Sequence, residues 1–130
     1  MNVVDANVVV GFLDSTNANH ARAVELLGAR ESEPLVMHEV TMAEVLAGPA
    51  QVDRAAAERV WTSMLQMGIR QAATAASPLD VAQLRASTGL PIPDCLVILT
   101  AGKPATGHPI LTFDEWLAAK ARALGYSVAP

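Results

Sequence analysis

The sequence predicts an α/β sandwich on a mostly parallel sheet, and three observations carry that expectation. Short β-branched or apolar runs recur along the chain, each separated from the next by a stretch with helical periodicity; strands alternating with helices give parallel crossovers. Gly and Pro punctuate the boundaries between these stretches. The 130 residues are 52% hydrophobic and 17% charged, without repeats, low-complexity tracts or a dividing linker, which suits one domain over 1–130 with its own core.

Residues 2–4 form a β-branched run suited to a buried strand. Residues 6–13 stay apolar and are expected to turn into a short helix closed at Asp14-Ser15. His20 to Ala29 reads as a helix with Ala23, Val24 and Leu27 on its inner face and Arg22 and Glu25 outside. Pro34 breaks that pattern, and Leu35-Val36-Met37 follows as a second strand. The next helix runs through Val40, Ala43, Glu44 and Ala47 and is expected to end at Gly48-Pro49. Residues 52–67 give the clearest helix: Ala57, Val60, Trp61 and Met64 share one face, with Arg54 and Glu58 paired outside. Gly68 ends it, and Ile69 to Ala73 reads as a strand. Ser77 with Asp80 starts a further helix that stops at Gly89. Pro91 and Pro93 bracket a turn, and Asp94 opens an apolar helix through Ala101. After a loop from Gly102 to Pro109, residues 109–111 read as a strand. Thr112 to Glu115 fits a capping box for a helix over 113–124, and Tyr126 to Val128 reads as a last strand.

Nine Lys and Arg stand against 13 Asp and Glu, a net charge of −4. Bulk charge therefore disfavours nucleic acid, and any such binding needs a local basic patch or metal ions to offset the phosphates. The N-terminus lacks a basic region and Asp5 interrupts its apolar run, so no signal peptide is expected. Apolar runs such as Cys95 to Leu99 are too short to span a bilayer, and a soluble chain with no membrane partner is expected. The single cysteine, Cys95, excludes an internal disulfide and a Cys-based zinc site, and fits the reducing cytoplasm. Cys95 and the methionines at 37, 42, 64 and 67 read as core fillers, and His20, His38 and His108 as surface or loop residues.

Four acids sit in otherwise apolar surroundings: Asp5 ends the first strand, Glu44 lies within Met42–Leu46, Asp94 precedes Cys95–Leu99, and Asp114 follows Ile110–Phe113. Groups at the C-terminal ends of parallel strands share one crevice, which brings Asp5 and Asp114 together, and Glu44 and Asp94 could converge there from helices. Crowded carboxylates repel, and a divalent cation removes that penalty. An all-oxygen set suits Mg²⁺ or Mn²⁺, and such a site can hold a phosphodiester and lower the pKa of a bound water. Each acid also has an ordinary role open to it. Asp94 and Asp5 suit helix N-caps, Asp114 suits the first turn of a helix, and Glu44 suits a solvated helix face. Asn7 either orients a carboxylate or a water, or serves a cap or turn. Thr112 either bonds Asp114 or caps the following helix, and capping is preferred.

Val3–Val10, Ala43-Glu44-Val45, Leu90–Ile98 and Ile110–Asp114 resemble, in order and spacing, the four acidic motifs of PIN-domain ribonucleases, most closely the VapC toxins of toxin–antitoxin pairs. The resemblance covers essentially the whole chain. It implies a PIN-like α/β/α sandwich and Mg²⁺- or Mn²⁺-dependent endoribonuclease activity on RNA such as tRNA or rRNA. It further implies a homodimer and a cognate VapB-type antitoxin whose C-terminal segment covers the active site. Carried over residue by residue, Asp5, Glu44, Asp94 and Asp114 are the catalytic and metal-binding set, with Asn7 and Thr112 in support. Two departures are Cys95, where many members carry Ala, and the Pro/Gly loop 102–109. The competing expectations are a non-catalytic RNA- or protein-binding module with its acids serving as caps, and a phosphotransfer protein with Asp5 as nucleophile. The latter lacks a second acid at position 7.

Overall fold

The structure, a computed structural model, describes residues 1–72 and 76–130. Among the described residues, five strands are interspersed with seven helices: β1 (Asn2–Val4), α1 (Ala6–Leu13), α2 (His20–Gly28), β2 (Leu35–His38), α3 (Glu39–Val52), α4 (Arg54–Gln66), β3 (Ile69–Ala72), α5 (Pro78–Thr88), α6 (Ile92–Thr100), β4 (Ile110–Leu111), α7 (Glu115–Ala123) and β5 (Val128–Ala129). The sheet order is β3-β2-β1-β4-β5. Every neighbouring pair is parallel, so the sheet is wholly parallel rather than mostly so.

The central strand shows why these residues take this form. Val3 and Val4 are both buried, and successive side chains point to opposite faces. Val4 and Leu111 join one core with Leu26, Leu27, Met42, Val45 and Met64 from α2, α3 and α4. Val3 and Ile110 join the other with Cys95, Val97, Ile98, Leu117 and Ala121 from α6 and α7. The result is an α/β/α sandwich whose two cores are separated by the sheet. Met37, Met42 and Met64 are fully buried fillers, as is Cys95.

Several boundaries differ from expectation. α3 does not stop at Gly48-Pro49 but carries Pro49 inside it and ends at Val52. The break falls at Asp53, whose extended backbone ends α3 while its carboxylate accepts from the Ala56 N–H to start α4. A proline near a helix end removes one donor without forcing a stop, because the last turn is held by other residues. On α2 the inward residues are Ala23, Leu26 and Leu27, while Val24 is exposed. His38 is neither surface nor loop: it is buried at the end of β2 and caps α3, its Nδ1 accepting from the Val40 N–H at 3.0 Å. β5 begins at Val128, later than the expected Tyr126. β3 matches through Ala72, and its expected last residue, Ala73, lies outside the described residues. The Ser77–Asp80 capping box forms as expected, and Arg54 pairs with Glu58 at 3.0 Å on the surface.

Candidate active site

β1 and β4 are neighbours, so the residues just beyond their C-terminal ends, Asp5 and Thr112, stand side by side. The Asp5 carboxylate is buried and fully engaged on this side. Its Oδ1 accepts from the Ala6 N–H at 2.8 Å, capping α1, and its Oδ2 accepts from the Thr112 hydroxyl at 2.7 Å. Thr112 Oγ1 in turn accepts from the Asp114 N–H at 3.0 Å and from Asn7 Nδ2 at 3.4 Å. Asn7 Oδ1 accepts from the Phe113 N–H at 3.1 Å, fastening α1 to the β4–α7 loop.

Thr112 therefore does not cap α7. That role falls to Asp114, whose Oδ1 accepts from the Trp116 and Leu117 N–H groups. The sequence pattern misleads because two hydroxyl or carboxylate candidates lie two residues apart, and the buried hydroxyl is drawn instead to the Asp5 carboxylate.

The other two acids come from helices. Glu44 lies in the second turn of α3, exposed at the cleft rim. Asp94 is not an N-cap: α6 starts at Ile92 with Pro91 before it, which leaves Asp94 in the first turn. Its backbone N–H bonds the Pro91 carbonyl at 3.0 Å. Among the described residues no side-chain hydrogen bond or ion pair reaches the Glu44 or Asp94 carboxylates.

All four acids border one cleft of about 340 Å³, together with Asn7, Asn17 and Asn19. Asn17 and Asn19 belong to the α1–α2 loop and were not singled out from sequence. The repeated Asn was the available signal, but its approach to the cleft depends on tertiary folding. Among the described residues, no Lys or Arg borders the cleft. The Asp5 carboxyl is raised above its ordinary value by burial, against the lowering effect of its two hydrogen bonds, and the Asp114 charge adds to the rise. Glu44 is raised by partial burial and then by Asp5. Asp94 is pushed up to about 6 by burial first, then by Asp5, Asp114 and Glu44. These shifts are the signature of like charges held in a shared, partly dry space.

Uncompensated carboxylates and amide oxygens are the donor chemistry of a hard divalent cation. Among the described residues, no three His, Cys, Asp or Glu side chains stand close enough to form a ready-made ligand group. Any ion held here would therefore touch few of these side chains directly, with water completing its shell.

The model of the PIN domain matches residues 3–125. The chain belongs to the PIN-domain family. No curated protein sequence matches this PIN domain, but solved structures do. It is similar to PAE2754 of Pyrobaculum aerophilum at 25% identity and a TM-score of 0.62, over 98% of this chain and 89% of that one. FitAcB of Neisseria gonorrhoeae is similar at 21% identity and a TM-score of 0.71, over 100% of this chain and 97% of that one. VapC20 of Mycobacterium tuberculosis, a sarcin-ricin-loop-cleaving toxin, is similar at 12% and 0.67, over 92% and 95%. These likenesses are of fold. Among the described residues of this PIN domain, no helix is long and apolar enough to cross a membrane.

Proposed function

We propose that this PIN domain is a metal-dependent endoribonuclease, the toxin of a toxin–antitoxin pair, acting on RNA such as tRNA or rRNA. The observation that carries the reading is the single cleft bordered by Asp5, Glu44, Asp94 and Asp114. Those four residues would hold Mg²⁺ or Mn²⁺, directly or through water. When bound, such an ion lowers the pKa of a water and neutralises charge on the phosphodiester and its leaving oxygen. The chain's own contribution is placement. Thr112 and the Ala6 N–H fix the Asp5 carboxylate, and Asn7 holds the Phe113 backbone so that Asp114 keeps its position. The net reaction adds one water across a P–O bond, leaving a phosphate on one fragment and a hydroxyl on the other.

Membership of the PIN family and the structural likeness to VapC20 support the nuclease reading. Likeness to FitAcB, and to VapBC2 of Rickettsia felis solved with DNA from its promoter, supports a VapB-type antitoxin as partner. A cytoplasmic homodimer completes the proposal. The competing reading is a non-catalytic binding module, and the capping bonds of Asp5 and Asp114 favour it. RNA cleavage with Mg²⁺, compared with and without EDTA, separates the two. Asp5→Asn and Asp94→Asn are expected to abolish cleavage and weaken Mg²⁺ binding in titration calorimetry. If both variants cut as fast as the parent, the nuclease assignment is wrong.

A further inference from the structure

We infer that Arg22, Arg122 and Phe113 form a phosphate-binding subsite that grips the RNA strand next to the scissile bond. The inference rests on the nuclease reading of the acidic cleft and adds the means by which an acidic protein holds a polyanion. The chain carries a net charge of −4 and, among the described residues, no Lys or Arg borders its acidic cleft, so whatever attraction for RNA a metal ion in the cleft does not supply comes from positive groups just outside it.

A second cleft, of about 360 Å³, shares Asp114 with the first and is walled by Arg22, Phe113, Glu115 and Arg122. Arg22 is held rather than free. Its guanidinium carbon lies 4.6 Å from the Phe113 ring centroid, and its Nη1 donates to Asn19 Oδ1 at 3.2 Å. Asn19 itself borders the acidic cleft, and the Phe113 backbone is bonded to Asn7, so the arginine is referenced to both sides of the proposed reaction centre. A guanidinium already stacked on a ring loses less freedom on binding and still presents donors to a phosphate.

Arg122 donates Nη2 to the Pro130 main-chain oxygen at 3.0 Å and the Val128 carbonyl at 3.4 Å, which orients it on α7 and leaves its other N–H groups for a ligand. Glu115 shares the wall, but among the described residues neither arginine forms an ion pair with it or with another Asp or Glu side chain. Of the remaining cations, Arg54 pairs with Glu58 on α4, and Arg30 and Arg85 bond the Leu26 and Gly89 carbonyls; none of the seven lines this second cleft. Two guanidinium forks in one cleft adjoining four carboxylates match a strand whose neighbouring phosphate is bound by arginine.

The test pairs binding with cleavage. Affinity for a single-stranded 2′-O-methyl RNA is measured by fluorescence anisotropy in EDTA over a range of salt, and kcat and KM are measured on cleavable RNA in Mg²⁺. Arg22→Gln and Arg122→Gln are each expected to weaken binding about tenfold and to reduce the salt slope by about one. Both are expected to raise KM about tenfold, with kcat within twofold. Arg22→Lys should recover only part of the loss, because it keeps charge without the planar fork. Arg59→Gln, on α4, should match the parent. Parent-like affinity and slope in both glutamine variants overturn the subsite, as does a parent that fails to bind this RNA in EDTA or a loss confined to kcat. A parent that binds but never cleaves, with binding still lost in the variants, overturns the nuclease reading and leaves the subsite standing.

Discussion

The two halves of the acidic cleft are built differently. On the strand side, Asp5 and Asp114 are tied into a network with Ala6, Asn7, Thr112, Trp116 and Leu117, and each also starts a helix. On the helix side, Glu44 and Asp94 border the same cleft with no such bonds among the described residues, and their carboxyls are raised by burial and by neighbouring charge. One half is preorganised at the expense of its lone pairs, and the other keeps its lone pairs at the expense of repulsion. A cation placed between them would relieve the helix side and leave the strand side nearly unmoved.

Breaking each half in turn tests that division. The largest effect is expected for Asp94→Asn and Asp5→Asn, each lowering RNA cleavage by about 100-fold or more. They should separate in thermal melts without metal: Asp94→Asn melts at or above the parent, whereas Asp5→Asn melts below it, because an amide cannot satisfy both Thr112 and Ala6 as a carboxylate does. Equal melting losses would erase the distinction between the halves.

Thr112→Val comes next, with about tenfold lower kcat and a stability loss of about 1–2 kcal/mol in urea unfolding. It deprives the buried Asp5 oxygen and the Asp114 N–H of one partner. Smaller again is the pH response of the metal-free protein. Burial and the neighbouring carboxylates push the Asp94 carboxyl up to about 6 in the fold, against 3.8 for an ordinary aspartate, so the folded state binds more protons between those values. That contribution is fully present below about pH 4 and is lost as pH rises through 6. Solvent screening of this partly exposed group limits it to about 1 kcal/mol. Comparing melts of the parent and Asp94→Asn across this range checks the sign: only the parent should lose this increment as pH rises, and saturating Mg²⁺ should restore it. The smallest effect is Glu44→Gln, expected to weaken Mg²⁺ binding a fewfold in calorimetry while leaving stability within about 0.5 kcal/mol.

Much of this was readable from the residues. β-branched runs buried on both faces announce parallel strands, and the rule that strand ends share a crevice brings Asp5 and Asp114 together before any coordinates. For Glu44 and Asp94 the sequence offered convergence only as one possibility beside a solvated face and an N-cap, because a helix's placement against the sheet is not written in its own residues. What escaped depends on pairings distant in sequence. Thr112 reads locally as a cap, yet its hydroxyl is claimed by Asp5, 107 positions away. His38 reads as a surface histidine, yet burial at the end of β2 turns it into the cap of α3. Pro49 reads as a stop, yet the real break is the extended backbone of Asp53. Asn17 and Asn19 reach the cleft only because α2 folds back on α1.

The double duty of Asp5 and Asp114 as helix starters has an evolutionary corollary. A descendant that abandoned chemistry would still be selected to keep both, since discarding either frays a helix. Glu44 and Asp94 enjoy no such shelter and would drift first. In a decayed copy of this gene, the informative letters are therefore those at 44 and 94, and an intact aspartate at 5 is poor testimony that the blade is still sharp.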